Sequence, residues 1–478
     1  MVFTTATFLV FLAVVFCLYW ALGDRRSQNV LLVVAGYAFY AWWDYRYCIL
    51  MIISTLVDYY CGIGCSRQKT KKLCLVISLI SNLGMLGIFK YFNFFQDSFV
   101  AAFESLGVGL DPIPWSYALP VGISFYTFQT LSYTIDIYRD KLKPHTNFID
   151  YAAYVCFFPQ LVAGPIERAS SLLPQFGVNR KFDPDLARDG LRQILWGFFK
   201  KMVIADRCGT IVNEIYENPE LFDSPYLWLA AIGFSFQIYC DFSAYSDIAI
   251  GTARLFGFSL TRNFANPYFS QDFVEFWRRW HITLSTWFRD YVYIPLGGNR
   301  VGPTRQWVNV LIVFTVSGLW HGAGWNFVVW GAIHGFLVAV SSRLRAKPLN
   351  LEDVPLGAGI PSILAVIRCL IVFAITCLAW VFFRIEGDFE LAMDIVRRMT
   401  IGFETHTVAL ASSGVLSILK KLMPVFLAVE FLTRDKHHPL QAIVRLPRPI
   451  RWMIYMALIW LIMYYMPDAS GEFVYFQF

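Results

Sequence analysis

The sequence predicts an all-α, polytopic membrane protein. Hydrophobic residues make up 57% of its 478 residues and charged residues only 15%, with a mean hydropathy of +0.50. A soluble domain is about a quarter charged, so this chain lacks the polar surface that water requires. Aromatic residues reach 18%, which is typical of membrane-interface belts or of an aromatic-lined cavity. The net charge is +6, but the sequence has no basic nucleic-acid-binding motif. We therefore expect membrane lipids, and no nucleic acid, as partners.

Apolar runs recur along the whole chain, and they predict about 11 to 12 spanning or re-entrant helices. We see neither an internal repeat nor a low-complexity linker, so one membrane domain over residues 1–478 is expected. The first run lacks a basic segment before it and a small-residue cleavage site after it, which favours a retained span over a signal peptide. The predicted spans lie near 5–22, 29–43, 47–64, 73–95, 119–138, 190–208, 225–251, 306–320, 323–341, 362–383, 411–432 and 452–466.

The distribution of basic residues predicts the orientation, since Lys and Arg collect in cytoplasmic loops. The stretch "RQKTKK" at 67–72 is predicted inside, and the acidic segments 96–118 and 209–224 are predicted outside. Residues 257–305 are rich in Arg, so we expect interfacial helices and a loop on the cytoplasmic side. The tail at 468–478 then falls outside, and both termini are predicted to be periplasmic.

Polar residues at membrane depth are costly and are therefore candidate functional residues. His321 lies between short apolar segments beside Gly318 and Gly322, and such glycines allow close backbone approach. A histidine can act as a general base at neutral pH, because the unperturbed pKa of its imidazole lies near neutrality. An equally acceptable interpretation is a hydrogen-bonded core histidine. His334 follows 13 residues later on a different helical face, which favours a core role for it.

The stretch 272–300 carries aromatic residues at helical spacing from Trp277 to Tyr291 together with arginines, which is typical of a helix lying in the membrane interface. Arg278, Arg279 and Trp277 are candidate ligands for an anionic substrate such as a nucleotide phosphate. His281 lies within the same stretch. Asp241 lies inside another apolar run, where a carboxylate needs a charged partner or a wet cavity.

The histidines do not form a metal-binding pattern, so no metal site is predicted. The last residues, "GEFVYFQF", contain one hydroxyl-bearing side chain, Tyr475, among phenylalanines. A tail that packs at the membrane surface explains the phenylalanines. It leaves open why a single nucleophile stands among them.

Five stretches together resemble the membrane-bound O-acyltransferase family, in particular its bacterial branch of alginate O-acetyltransferases and of peptidoglycan and D-alanyl transfer proteins. They run in order over most of the chain from about residue 119. The stretches are "PQLVAGPIER" (159–168), "CDFSAYSDIAIG" (240–251), "FWRRWHITLSTWFRDYVYIPLGG" (276–298), "GLWHGAGWNFVVWGAIHG" (318–335) and the terminal "FVYFQF".

The resemblance implies a helical membrane enzyme with a tunnel between a cytoplasmic donor entrance and an external acceptor side. It implies that His321 is catalytic and that His281 occupies a second site position, which is Asn or His across the family. Trp320 belongs to the same motif as His321 and is a candidate substrate contact. Tyr475 matches a tyrosine thought to carry the acyl group in D-alanyl transfer systems.

The implied function is acetyl transfer across the bacterial inner membrane for O-acetylation of an exported polysaccharide, most simply an alginate-type polymer. No bound cofactor is expected; acetyl-CoA is the implied donor, and a periplasmic acetyltransferase the implied partner. D-alanyl or peptidoglycan acyl transfer is the alternative within the family. A non-enzymatic transporter, or a scaffold for a secretion complex, is the alternative outside it.

Overall fold

The computed structural model describes residues 1–117, 119–344, 361–402, 410–466 and 473–474. These residues form helices and connecting turns, and the described ranges contain no strand. The all-α prediction is therefore confirmed. By internal contacts the chain divides into two compact units, Met1–Gly190 with Ala249–Thr261 and Leu191–Ile248 with Arg262–Phe478. The single domain over 1–478 stays a prediction.

The first unit is built from helices that begin where the sequence offers capping side chains. The side chain of Thr5 accepts the backbone N–H of Phe8 at the start of the first helix, and Asp24 does the same for Ser27 in the second. A π-helical segment, Gly87–Tyr91, separates the fourth helix, which ends at Leu86, from the fifth, which begins at Phe92. The helices are α1 (Ala6–Ala21), α2 (Arg25–Asp44), α3 (Cys48–Cys65), α4 (Lys71–Leu86), α5 (Phe92–Ser105), α6 (Ile123–Tyr138), α7 (Phe148–Val155) and α8 (Ala169–Phe176).

Helices α3, α4 and α6 pack around one buried carboxylate, Asp58. Its oxygens accept hydrogen bonds from Thr134 at 3.0 Å, from Asn82 at 2.7 Å and from Ser78. A buried carboxylate is tolerated only where donors replace its hydration. These side chains therefore fix how the three helices are positioned against one another, which the apolar pattern alone does not determine.

The second unit holds every predicted site residue that the structure describes. Helix α9 (Pro184–Phe199) and helix α11 (Ser224–Leu255) each contain residues of both units, and a π-helical segment, Lys200–Ala205, follows α9. The helices are α9 (Pro184–Phe199), α10 (Asp206–Glu217), α11 (Ser224–Leu255), α12 (Phe273–Arg279), α13 (Ile282–Phe288), α14 (Pro303–His321), α15 (Trp325–Leu344), α16 (Ile363–Arg384), α17 (Phe389–Ile401), α18 (Ser413–Leu432) and α19 (Arg448–Tyr464).

Five helical stretches among the described residues are long and apolar enough to cross a membrane. Other predicted spans hold shorter or more polar helices, such as α6 and α19. The catalytic tunnel stays a prediction. The five stretches are Arg25–Cys65, Lys71–Ser105, Ser224–Leu255, Trp325–Leu344 and Ile363–Arg384.

Helices α14 and α15 form a tight pair because glycines face each other across it. A Cβ atom added to Gly318 would overlap the carbonyl oxygen of Phe327, and one added to Gly331 would overlap that of Phe314. The close backbone approach predicted for this glycine-rich stretch is confirmed. It places the end of α14, and with it His321, inside the packed unit.

Candidate active site

His321 is the last residue of α14, next to Gly322, where the helix ends. Its side chain is buried. The imidazole packs among three aromatic rings at centroid distances of 5.0 Å to Trp320, 5.2 Å to Trp330 and 5.5 Å to Phe383. The residue therefore lies in an aromatic enclosure, where an imidazole is shielded from bulk water.

His281 lies between α12 and α13 and has a left-handed backbone, with φ of 43°. It is fully buried. Its Nδ1 lies 3.1 Å from Oδ1 of Asn263, and its ring meets Phe242 edge to face at 4.7 Å. Non-glycine residues in this backbone region are uncommon and are held there by their surroundings. The conformation turns the chain sharply at His281 and points its ring into the unit.

The interfacial helix predicted from the aromatic stripe between Trp277 and Tyr291 is interrupted at His281. The backbone N–H of Ile282 donates to the carbonyl of Asn263, and the N–H of Ala265 donates to the carbonyl of Arg279, each at 2.9 Å. These bonds replace helical ones, so the chain forms two short helices instead of one. The three tryptophans of the stretch, Trp277, Trp280 and Trp287, are buried. The cytoplasmic, interfacial position of 257–305 stays a prediction.

The fold brings the two predicted catalytic histidines together. The ring centroids of His281 and His321 are 6.4 Å apart, although the residues are 40 positions apart in the chain. Trp320 contacts both rings, at 6.1 Å from His281 and 5.0 Å from His321. With two buried imidazoles at this spacing, one can orient a reactant while the other accepts its proton.

His334 is held apart from this pair. Its Nδ1 accepts a hydrogen bond from Nε1 of Trp277 at 3.3 Å, and Trp330 contacts His321 on one side and His334 on the other. The core role predicted for His334 agrees with this placement. Trp277, a candidate substrate contact, is buried against His334.

The two candidate arginines differ in their surroundings. Arg279 is buried, its Nη2 lies 2.8 Å from Oε1 of Glu275, and its Nη1 donates to the carbonyl of Ala265. These contacts fill most of its hydrogen-bonding capacity within the protein. Arg278 is partly exposed. Of the two, Arg278 is the more accessible to a charged ligand.

Asp241 is buried in α11 and has the charged partner that its sequence position required. Nζ of Lys201 lies 2.6 Å from one carboxylate oxygen, and the backbone N–H of Val474 donates to the other at 2.7 Å. Asp241 therefore contacts the C-terminal tail, which the sequence did not predict. Tyr475, the predicted third catalytic residue, lies outside the described residues.

Comparison with known proteins supports the resemblance seen in the motifs. The chain matches the model of the MBOAT, membrane-bound O-acyltransferase family over residues 38–383, a range that includes both histidines. The chain belongs to this family. It is therefore a membrane-bound O-acyltransferase, and the enzyme interpretation is favoured over the transporter and scaffold alternatives.

Curated relatives cover most of the chain. A probable alginate O-acetylase of Pseudomonas syringae is 38% identical over 86% of this chain and 80% of its own length. A peptidoglycan O-acetyltransferase of Helicobacter pylori is 35% identical over 84% and 80%. A teichoic acid D-alanyltransferase of Streptococcus thermophilus is 30% identical over 49% and 59%.

Three residues of the site were missed in the sequence. Asn263 carried no signal, because nothing local shows that it contacts His281. Trp330 lies in the stretch 318–335 that resembles the family, but nothing local shows that it contacts His321. Lys201 did carry a signal, since "KK" inside the apolar run 190–208 places two ammonium groups at membrane depth. Pairing that lysine with Asp241 would have predicted the buried ion pair.

Proposed function

We propose that this enzyme transfers an acetyl group from cytoplasmic acetyl-CoA across the bacterial inner membrane, for O-acetylation of an exported polysaccharide by a periplasmic acetyltransferase. The observation that carries the proposal is the buried pair of His281 and His321, together with a C-terminal tail that enters the same unit at Phe473 and Val474. The similarity to alginate O-acetylases over most of the chain favours an alginate-type polymer.

The proposed first step forms an ester on the tail. His321 accepts the phenolic proton of Tyr475, and the phenolate oxygen attacks the carbonyl carbon of the thioester. The carbon–sulfur bond breaks, and the departing thiolate takes the proton back from the His321 imidazolium, which releases CoA and regenerates the base. Phenol is a weak nucleophile at neutral pH and needs an adjacent base of this kind. His281 orients the thioester or assists His321, and Arg278 is the candidate contact for the phosphates of CoA.

The proposed second step leaves the tail free again. The acetyl group passes from Tyr475 to the periplasmic partner or directly to a polysaccharide hydroxyl, and the phenol is regenerated. A phenyl ester is reactive enough for such a transfer because phenolate is a good leaving group. This step requires the tail to be external, as the charge distribution predicts.

The proposal is tested by supplying the purified enzyme in nanodiscs with acetyl-CoA labelled in the acetyl group and mapping the label by peptide mass spectrometry. We expect label on the C-terminal peptide of the wild type, none in Tyr475→Phe and none in His321→Ala. Tyr464→Phe, which removes an exposed hydroxyl from α19, is the matched control and should keep the label. CoA release without label on the tail would refute the tyrosine ester.

The choice of acceptor has an alternative that the relatives make specific, because a peptidoglycan O-acetyltransferase is nearly as similar as the alginate O-acetylases. Cells carrying His321→Ala should lose acetyl groups from one exported polymer. Loss from peptidoglycan, with other polysaccharides unchanged, would move the assignment to that branch. D-alanyl transfer predicts instead that labelled alanine reaches the tail.

A further inference from the structure

The described part of the C-terminal tail is buried, although it follows the polar break "PDASGE". Phe473 is 1% exposed and Val474 is 4% exposed. The backbone N–H of Val474 donates to Oδ2 of Asp241 at 2.7 Å. A buried backbone donor that bonds to a carboxylate forms a strong, charge-assisted hydrogen bond. The tail is thus fixed at one specific peptide group.

The charged groups around Asp241 make the loss of this hydrogen bond costly for the stability of the site. The ammonium of Lys201 lies 2.6 Å from Oδ1 of Asp241 and 2.9 Å from Oδ1 of Asp206, so it is shared between the buried carboxylate of Asp241 and the partly exposed one of Asp206. Loss of the Val474 N–H would take a donor from a carboxylate that is 1% exposed. Leaving such an oxygen without its donor is costly. The site is therefore most stable with the tail in place.

The side chain of Phe473 has its own site beside the carboxylate. Nζ of Lys201 lies 4.6 Å from the centroid of its ring, and the ring of Tyr245 meets it edge to face at 4.8 Å. A cation over an aromatic face and an edge-to-face ring pair are both favourable. Tyr245 lies four residues after Asp241 on α11, so both side chains share one face of the helix.

Helix α11 also forms a wall of the histidine pair. Phe242, adjacent to Asp241, packs against the ring of His281 at 4.7 Å. One turn on, Oγ of Ser246 lies 3.4 Å from Nδ2 of Asn263, the residue whose side-chain oxygen faces His281. The tail contacts and the His281 contacts therefore lie on adjoining faces of the same rigid stretch, residues 241–246.

We propose that Asp241, Lys201 and Tyr245 form a tail clamp that holds the chain's own C-terminus and sets its register. The carboxylate binds the peptide group of Val474, and the ammonium and the phenol ring hold Phe473. Tyr475 follows Val474 in the sequence, so the clamp also sets the register of the proposed acyl carrier. The clamp itself is independent of the proposed function; the role of Tyr475 rests on that function.

Hydrogen–deuterium exchange of the full-length enzyme in nanodiscs tests the clamp directly. Asp241→Ala and Lys201→Met should each increase exchange in the C-terminal peptide at least about tenfold, the effect of losing one charge-assisted hydrogen bond. Asp247→Asn is the matched control, since it weakens another largely buried ion pair of α11, with Lys200 at 2.7 Å, and Asp247 has no hydrogen bond or ion pair with the described tail residues Phe473 and Val474. Unchanged exchange in Asp241→Ala, or an equal increase in the control, would overturn the clamp.

Single-residue insertions test the register. An alanine inserted between Val474 and Tyr475 moves the tyrosine relative to the clamp, and we expect acetyl label on the tail to fall at least about tenfold. An alanine inserted before Phe473 leaves residues 473–475 together, so the label should persist. Equal loss from both insertions would refute register control, because a merely structural tail would not distinguish them.

The two tests separate this inference from the proposed function. If the wild type carries no label on its tail while Asp241→Ala still frees the tail in the exchange experiment, the clamp stands and the tyrosine carrier fails. If the wild type is labelled, exchange is unchanged in Asp241→Ala and the two insertions do not differ in their label, the tyrosine carrier stands and the clamp fails. Asp241→Asn, which preserves the side-chain size, repeats the exchange test if Asp241→Ala does not fold.

Discussion

Replacing Asn263 with alanine tests how the position of His281 is fixed. Oδ1 of Asn263 faces Nδ1 of His281 at 3.1 Å and accepts the N–H and the hydroxyl of Thr283 at 3.2 and 2.9 Å. A backbone N–H can only donate, so the atom of Asn263 that faces His281 is the oxygen, and Nδ1 of His281 carries the proton. Nε2 is then the basic nitrogen of His281.

The size of the effect follows from the number of donors involved. Asn263→Ala takes the acceptor away from three buried donors, and each lost hydrogen bond costs about 1 kcal/mol. The expected loss of stability is therefore about 3 kcal/mol, a large share of the ~5–15 kcal/mol that holds a typical domain together. The imidazole also loses the contact that fixes its tautomer and orientation. A misplaced catalytic group slows catalysis, here by about 10- to 100-fold.

The assay is the initial rate of CoA release from acetyl-CoA per folded molecule, with the folded fraction taken from size-exclusion chromatography. Ser246→Ala is the matched control, because its hydroxyl lies 3.4 Å from the other end of the Asn263 side chain and should matter little. A wild-type rate per folded molecule in Asn263→Ala would refute the role assigned to this side chain.

Two further predictions concern stability. Gly318→Ala should destabilise the α14–α15 pair by about 1–3 kcal/mol, because its Cβ would overlap the Phe327 carbonyl. Gly414→Ala is the control and should be neutral, since a Cβ there meets no atom within 4 Å. Thermal unfolding in detergent compares the two variants, and equal melting temperatures would contradict the packing argument. Glu275→Gln leaves Arg279 buried without its carboxylate and should cost about 3–5 kcal/mol by the same measurement, while an unchanged melting temperature would show that the pair contributes nothing.

Much of the fold was predictable because hydropathy records it directly. The first predicted span, 5–22, matches α1, and the span at 362–383 matches α16, since an apolar run of this length has few alternatives to a helix. The break at His281 was not predictable. Its cause is the backbone pairing with residues 263–265, which are distant in sequence and carry no local signal.

The candidate site shows the same division. His321 was chosen as a candidate because a histidine among glycines in an apolar run is locally unusual, and its motif supported the choice. The contact between Asp241 and Val474 joins residues 233 positions apart, so no spacing in the sequence reveals it. Long-range contacts of this kind are set by packing of whole helices, which local propensity does not encode.

The central claim is that the pair of His281 and His321 is the catalytic centre, and the most direct test compares two buried histidines of the same unit. We would measure CoA release from acetyl-CoA by His321→Ala and His334→Ala enzymes in nanodiscs, each normalised to folded protein. The account predicts a loss of about 100-fold or more for His321→Ala, the contribution of a general base, and a rate within about tenfold of wild type for His334→Ala. Equal rates in the two variants would contradict it.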